Sequence, residues 1–226
     1  DHRDLHSFPT RRSSDLLKII HILLFVQENS EYSTLPKLHT SLIPSMTNSS
    51  TQDSSLTQLL RRETSAEVLF DDFSRGLYST DASIYQIKPL GVVVPKTEQD
   101  VLATLGIAND AGVSVTMRGG GTSQCGQTVG EGIIVDVSKH LNRLISVDPE
   151  TRRAVVQPGI VLDQLNALLK PHGLFFPVDV STSSRATIGG MTANNSCGAR
   201  SIRYGKMVDN VRAVDAVLAD GNQMHF

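Results

Sequence analysis

The residues best suited to chemistry lie in one short stretch, Arg118-Gly-Gly-Gly-Thr-Ser-Gln-Cys-Gly-Gln127. Three consecutive glycines allow positive φ and expose successive backbone N–H groups, which can curl into a nest that binds an anion without a cationic side chain. The Arg118 guanidinium and the hydroxyls of Thr122 and Ser123 would add hydrogen bonds to the same anion. The expected occupant is a phosphate or a pyrophosphate.

Two phosphate-binding motifs can be tested on this stretch, and neither matches. The dinucleotide fingerprint G-x-G-x-x-G needs a glycine where the chain has Gln124. A P-loop needs a lysine where the chain has Gln127, so the cation that reaches the β- and γ-phosphates in NTPases is absent from the motif. A glycine-rich surface loop that binds no ligand stays open as the alternative interpretation.

The elements around this stretch place it at the end of a strand. Residues 90–95 and 113–117 are short apolar runs typical of buried strands, and residues 97–112 predict a helix that begins at a capping sequence and ends at a glycine. Residues 132–137 form a third apolar run. This βαβ pattern predicts a small parallel sheet with the glycine stretch at its carboxyl edge, where open α/β sheets bind ligands.

The pattern changes after residue 141. Residues 144–147 and 154–157 predict short strands around a turn, and residues 161–169 predict a helix with leucines on one face. Residues 211–218 predict a strand that residues 219–222 turn back as a hairpin.

A long polar stretch, residues 177–205, lies between these elements and is dense in small residues and hydrogen-bond donors. Irregular segments of this length inside a compact domain are usually functional. Gly189 and Gly190 would allow close backbone approach, and the sequence from Met191 predicts a short helix whose N-terminus faces an anion.

The bulk composition indicates a globular chain. With 226 residues, 39% apolar residues and a net charge of −2, it can form one large or two small domains, and nothing indicates nucleic acid or an anionic membrane as a partner. Cys125 and Cys197 are too few for a disulfide framework or a cysteine-ligated iron–sulfur cluster. We interpret both as small polar residues of loops, which fits a reducing compartment, and we predict no metal site in this chain.

The first 55 residues are not expected to belong to the domain. Residues 10–16 read like the translation of a common sequencing adapter, so residues 1–16 are interpreted as an artefact. Residues 17–55 are predicted to be a disordered or untranslated-region-like tail, because their apolar run is too short to span a bilayer and a Ser/Thr/Asn/Gln-rich segment follows. Met46 is a candidate start, which N-terminal sequencing of a longer native protein would contradict. Residues 56–84 are interpreted as a lead-in segment to the domain, residues 85–226.

Five separated motifs occur in one order: residues 118–123, Phe176-Pro-Val-Asp179, residues 186–196, residues 204–211 and Leu218-Ala-Asp-Gly221. With them, residues 60–226 resemble the FAD-binding domain of the vanillyl-alcohol oxidase / para-cresol methylhydroxylase (PCMH) type. Its nearest members are D-lactate and D-2-hydroxyglutarate dehydrogenases and large bacterial FAD/iron–sulfur oxidoreductases. The resemblance implies an α+β fold in which two α/β subdomains hold FAD between them, with the second subdomain truncated at the C-terminus.

The resemblance also implies which residues hold FAD. The glycine stretch would bind the pyrophosphate, and the later motifs would line the rest of the flavin cleft. The expected cofactor-binding residues are Arg118, Gly119, Gly120, Gly121, Thr122, Ser123, Gln127, Pro177, Thr187, Ile188, Gly189, Gly190, Ala193, Asn194, Ser196, Gly198 and Tyr204. Some members attach the flavin covalently through a histidine at the position of Thr122, so FAD is expected to bind here noncovalently.

The implied reaction is oxidation of a D-2-hydroxy acid such as D-lactate or D-2-hydroxyglutarate. A base removes the hydroxyl proton, and hydride passes from the α-carbon to flavin N5. The resemblance places the base and any metal-ligating histidines in a C-terminal cap domain, so no catalytic residue is assigned here, and the fragment alone is expected to bind FAD poorly and to be inactive. The expected partners are the small hydroxy acid and an electron acceptor (a quinone, a cytochrome or an iron–sulfur centre of the C-terminal part), with no nucleic acid. The expected location is the cytoplasm or the periphery of the inner membrane.

Two other functions stay open: a noncatalytic nucleotide-binding module, and an NADPH-dependent enolpyruvyl sugar-nucleotide reductase of the same fold. Residues 194–198 and 200–205 favour the hydroxy-acid group over the reductase.

Several polar residues also have plain structural interpretations. His140 and His172 are expected to be capping or surface residues, and Asp179 a turn residue. For the basic cluster of Arg200, Arg203 and Lys206, solvated surface and contact with an acidic ligand are equally expected.

Overall fold

The computed structural model describes residues 18–25, 27–28, 55–218 and 221–226. Their helices and strands follow in the order β1 (Lys18–Phe25), β2 (Gln27–Glu28), α1 (Ser55–Glu63), β3 (Glu67–Leu69), α2 (Asp72–Leu77), β4 (Gly91–Val94), α3 (Glu98–Asp110), β5 (Val115–Arg118), β6 (Ile133–Asp136), β7 (Leu144–Asp148), β8 (Arg153–Val156), α4 (Leu162–Leu169), β9 (Leu174–Phe175), α5 (Ile188–Ala193), α6 (Ser201–Tyr204), α7 (Met207–Asn210), β10 (Val211–Val217) and β11 (Gln223–His225). They form two α/β halves, each with its own sheet and buried core.

The first half contains the predicted parallel sheet. Its strand order is β3-β4-β6-β5, with β4, β6 and β5 parallel and β3 antiparallel at the edge. Strands β4 and β6 are buried along their whole length, as their β-branched residues require in a sheet that is covered on both faces. Because β6 lies between β4 and β5, Arg118 at the end of β5 pairs with Asp136 at the end of β6.

Helix α3 is fixed at its start by a reciprocal cap. Asp100 N donates to Thr97 Oγ1 over 3.1 Å, and Thr97 N donates to Asp100 Oδ2 over 2.9 Å. The Asp100 carboxylate also accepts the backbone amides of Ser65 and Lys96. Burial raises the pKa of this carboxyl, but the donated hydrogen bonds outweigh burial and leave the pKa below its usual value. One carboxylate therefore joins α3, β4 and the segment after α1.

The second half contains an antiparallel sheet of order β11-β10-β1-β8-β7, with α4 packed in its core. The predicted strands β7 and β8, the helix α4 and the hairpin of β10 with β11 are present. Among the described residues, no helix has both the length and the apolar character that crossing a membrane requires.

The structure differs from the predicted disordered tail at residues 18–25 and 27–28. Strand β1 pairs with β8 on one side and with β10 on the other, so two backbone ladders hold a segment in which we recognised no strand pattern. The remainder of that predicted tail lies outside the described residues. The lead-in segment, residues 56–84, contains the helix α2, which Asp71 caps by accepting the Ser74 amide over 2.8 Å.

The two halves meet at the carboxyl edge of the first sheet. Gly159 N, just after β8, donates to the Leu141 carbonyl over 2.8 Å, and a Cβ at Gly159 would collide with the Val137 carbonyl. Only glycine allows this approach, which places the chain leading into α4 directly against the end of β6.

We expect Asp100→Ala to lower the free energy of unfolding by about 2–3 kcal/mol, because it removes the charged acceptor of three backbone amides and of the Ser65 hydroxyl. The folded-state pKa of Asp100 is depressed, so the stabilisation is present above the unfolded-state pKa of about 3.9 and is lost as pH falls through the folded-state pKa. Urea denaturation at pH 7 should therefore show a large difference from wild type, and the difference should shrink at pH 3.

The matched control is Asp110→Ala, at the exposed end of the same helix. Its effect should stay within about 0.5 kcal/mol. Equal losses in the two variants at pH 7 would contradict the role of Asp100.

Candidate cofactor-binding site

The glycine stretch and the polar stretch meet around one cavity. The glycine loop, residues 118–127, follows β5, and the segment 180–196 passes beside it. Between them lies a cavity of about 300 Å³, which we call the loop cavity. It brings together ten of the predicted residues: Gly119, Gly120, Gly121, Thr122, Ser123, Gln127, Thr187, Gly190, Asn194 and Ser196.

Close backbone contact holds the glycine loop against this segment. A Cβ at Gly119 would collide with Thr187 Oγ1, and a Cβ at Gly120 would collide with the carbonyl oxygen of Arg185. Gly121 follows at φ +64°, a conformation that strains other residues. Each of the three glycines is thus required by a contact or a dihedral angle, which explains the run that the sequence shows.

The loop cavity is lined by neutral hydrogen-bonding groups. Within the described part of the chain, no backbone N–H of residues 119–124 donates to an intramolecular acceptor. None of the described side chains that line the cavity carries a formal charge. Consecutive free amides on a glycine loop form a site suited to an anion.

The hydroxyl of Ser123 is partly committed within the loop. It donates to Gln127 Oε1 over 2.6 Å and accepts the Cys125 amide over 3.1 Å. Thr122 therefore has the freer hydroxyl of the two that the sequence indicated.

The prediction of an anion-facing helix that starts at Met191 is wrong. Helix α5 begins earlier, at Ile188, with Thr187 as its N-cap. Its first amides are used internally: Ile188 N donates to Ile160 O, Gly189 N to Pro158 O, and Gly190 N to Thr187 Oγ1. These bonds tie α5 to the chain between β8 and α4, so these three amides are not available to an anion.

A second cavity, of about 380 Å³, lies at the ends of β5 and β6, and we call it the strand-end cavity. Of the predicted residues it contains only Arg118, Gly119 and Gly120. Tyr78 and Asp136 line it, and Tyr78 Oη donates to Asp136 Oδ2 over 2.7 Å. Burial and the neighbouring Asp136 carboxylate raise the pKa of Tyr78 well above its usual value, so the phenol stays protonated.

The remaining predicted residues line neither cavity. Ile188 and Pro177 are buried, Gly189 packs against Pro158, and Gly198 packs against the Asp179 backbone. Their direct contact with a cofactor stays a prediction, as does that of Ala193 and of Tyr204, whose ring lies edge-on to Phe175.

Sequence reasoning missed several residues that line the loop cavity: Gln124, Cys125, Thr128, Val180, Thr182, Ala186 and Met191. All but Thr182 lie inside a recognised motif or directly beside one, so membership in or next to these motifs was the available signal. Met191 is only 2% exposed and belongs to the core of the second half as well as to the cavity wall.

The other polar residues take structural roles. His140 Nε2 lies 2.8 Å from Glu67 Oε1, and Asp179 Oδ1 accepts the Arg200 amide over 2.9 Å, a contact between loops in place of the expected local turn. The Arg200 and Arg203 guanidinium groups lie over the rings of Phe175 and Tyr204. None of these residues is part of either cavity.

This chain belongs to the family described as "FAD binding domain", whose model matches residues 89–226. The glycine loop fits the diphosphate of FAD, because its free amides can donate hydrogen bonds to phosphate oxygens and its first glycines leave no room for a side chain. The predicted family and cofactor are thereby confirmed.

Curated relatives carry the names of hydroxy-acid enzymes. The chain is 46% identical over 147 residues to a D-2-hydroxyglutarate dehydrogenase of Pantoea ananatis, which covers 64% of this chain and 14% of that protein. It is 40% identical over 132 residues to a D-lactate dehydrogenase of Archaeoglobus fulgidus, and the match covers 58% of this chain and 29% of that protein. It is 39% identical over 158 residues to the glycolate oxidase subunit GlcD of Bacillus subtilis, covering 68% and 33%. The chain thus spans between about a seventh and a third of the length of these relatives.

Solved structures agree on the fold. The BBE-like 1 protein of Physcomitrella patens superposes with a TM-score of 0.68 at 24% identity, covering 76% of this chain and 38% of that one. An alkyldihydroxyacetonephosphate synthase gives a TM-score of 0.65 at 22% identity, covering 71% and 35%. The α+β fold of the PCMH type is therefore confirmed.

We expect Gly120→Ala to weaken FAD binding by about tenfold or more, because the added methyl would push the glycine loop away from Arg185 and misplace its amides. Titration of the apoprotein, prepared from the complete gene and followed by flavin fluorescence, measures this change. Gly106→Ala in α3 is the control, since a Cβ there meets nothing within 4 Å. It should leave FAD affinity within about twofold of wild type. Unchanged FAD affinity in Gly120→Ala would contradict the requirement for a glycine beside the Arg185 carbonyl.

Proposed function

We propose that this chain is the FAD-binding part of an oxidoreductase that oxidises a D-2-hydroxy acid to the 2-oxo acid. The observation that carries the proposal is the 46% identity to a D-2-hydroxyglutarate dehydrogenase in a chain whose glycine loop and α5 region enclose a donor-lined cavity. The names of the D-lactate dehydrogenase and of the glycolate oxidase subunit support the same substrate class.

In this proposal the chain holds and orients the cofactor. When bound, FAD would supply the redox chemistry, which is acceptance of a hydride from the substrate α-carbon. The amides of residues 119–124 receive the diphosphate, and Thr122, Thr182, Asn194 and Ser196 offer neutral hydrogen bonds along the rest of the loop cavity. Hydroxyl and carboxamide groups do not titrate near neutral pH, so these residues bind and orient and do not act as the base.

The base and the electron acceptor are proposed to lie outside residues 1–226. The described lining of the loop cavity includes no histidine, lysine or carboxylate that could take the hydroxyl proton, which supports this placement of the base. The acceptor would be a quinone, a cytochrome or an iron–sulfur centre. Cys125 and Cys197 are both free and exposed, which supports a cytoplasmic location, with or without contact to the inner membrane.

The test is the absorbance spectrum of the protein made from the complete gene and purified without added cofactor. We expect flavin bands that bleach under anaerobic D-2-hydroxyglutarate or D-lactate and persist with the L enantiomers. Bands that persist with every D-2-hydroxy acid would reject the substrate class and leave a flavoprotein of another reaction. A protein that shows no bands, even after FAD is added, would reject the cofactor.

The mode of attachment is a separate prediction. Because Thr122 stands where a covalent histidine link would be needed, acid precipitation should release all of the flavin into the supernatant. Flavin that stays with the precipitated protein would contradict noncovalent binding.

A further inference from the structure

We infer that Arg118 positions the glycine loop and does not itself bind the cofactor anion. This inference rests on the proposed binding of FAD at the loop cavity. Arg118 lines the strand-end cavity together with Tyr78 and Asp136, and it is not part of the lining of the loop cavity.

The hydrogen bonds of Arg118 go to two backbone carbonyls. Nη2 donates to Thr80 O over 2.9 Å, and Nη1 donates to Thr128 O over 3.3 Å. The guanidinium therefore links the segment after α2 to the residue that directly follows the glycine loop. The Gly121 backbone packs against the same guanidinium, since a Cβ there would lie 2.7 Å from Arg118 Nη2.

The segment that receives Arg118 holds the loop at further points. We call Thr80, Asp81 and Ala82 the anchor tripeptide. Ala82 N donates to the carbonyl of Gly121 over 3.1 Å, and Asp81 Oδ2 accepts Thr128 Oγ1 over 3.0 Å. With the bond from Arg118 to Thr80, three successive residues fix the start, the middle and the end of the loop.

Tyr78 and Asp136 determine where the guanidinium lies. The Arg118 Cζ atom is 5.2 Å from the centre of the Tyr78 ring, a distance typical of a cation–π contact. The Asp136 carboxylate, only 8% exposed as a residue, holds that ring through the Tyr78 hydroxyl and is itself held by Ser138 N and Ser138 Oγ. The Tyr78 ring thus links the Arg118 guanidinium to the Asp136 carboxylate at the strand-end cavity.

A lysine cannot replace this arrangement. The guanidinium presents a planar fork that reaches two carbonyls and stacks on an aromatic face at once, whereas an ammonium is a compact point charge. If Arg118 acted as a cation toward the diphosphate, a lysine would retain much of the binding. The two roles therefore predict opposite results for one substitution.

The experiment compares Arg118→Lys and Arg118→Met in the protein made from the complete gene, by titrating the apoproteins with FAD and with ADP. Both variants should weaken both ligands by about tenfold or more, and to within about threefold of each other. At saturating FAD, the ³¹P resonances of the bound diphosphate should shift in both variants. Arg75→Lys is the matched control, because Arg75 donates to the Pro89 carbonyl over 2.8 Å and lines neither cavity. It should keep wild-type affinities within about twofold and wild-type ³¹P shifts.

Three results would overturn the inference. The first is that lysine retains binding that methionine loses, which would make the charge itself the ligand. The second is unchanged affinity in both variants. The third is a loss of affinity with unshifted ³¹P resonances at saturation, which would indicate general destabilisation. If wild type itself binds no FAD, the proposed function fails and the inference fails with it, whereas wild-type affinity in Arg118→Lys rejects the inference alone.

A second comparison tests the part played by Tyr78. Tyr78→Phe keeps the ring and should stay within about threefold of wild type in FAD affinity, whereas Tyr78→Leu removes the ring and should weaken binding further. When Tyr78→Leu is added to Arg118→Lys, it should cause little further loss of FAD affinity, because both substitutions break the same Arg118–Tyr78 contact. Fully additive losses would contradict the coupling.

Discussion

The structure depends on the close approach of two backbone segments, Gly119–Gly120 and residues 185–187. No side chain can stand between them, because a Cβ on either glycine would meet Arg185 or Thr187. The contact joins the end of the parallel sheet to the start of α5 and encloses the loop cavity. The docking of Gly159 against Val137 and Leu141 supports the same junction from the other side, so the site is a product of how the two halves pack.

The cavity at this junction is lined by neutral hydrogen-bond donors. An anion held by free amides avoids the desolvation cost of a buried cation, and the amides keep their places only if the loop is held from outside. Arg118, Tyr78, Asp136 and the anchor tripeptide provide that support, and the charges of Arg118 and Asp136 lie at the strand-end cavity. This division suits a domain whose cofactor carries the redox step and whose protein part fixes its orientation.

Much of the local structure could be predicted, since periodicity and turn residues act over a few positions. Strands β4, β5 and β6, helices α3 and α4 and the hairpin of β10 and β11 lie close to their predicted bounds. Strand order was less accessible: the βαβ pattern predicts parallel strands but does not place β6 between β4 and β5. The start of α5 was misplaced because the amides of its first two residues, Ile188 and Gly189, bond to the carbonyls of Ile160 and Pro158, far away in sequence.

The sequence by itself determined that a glycine loop able to hold an anion follows a strand, and its ordered motifs determined the family. Both follow from residue types, because only glycine accepts the required approach and dihedral angles. The tertiary structure alone decided what Arg118 does. Its partners are backbone carbonyls, one of them 38 residues away, and every residue has a carbonyl, so no side-chain pattern marks the one that folding brings within reach.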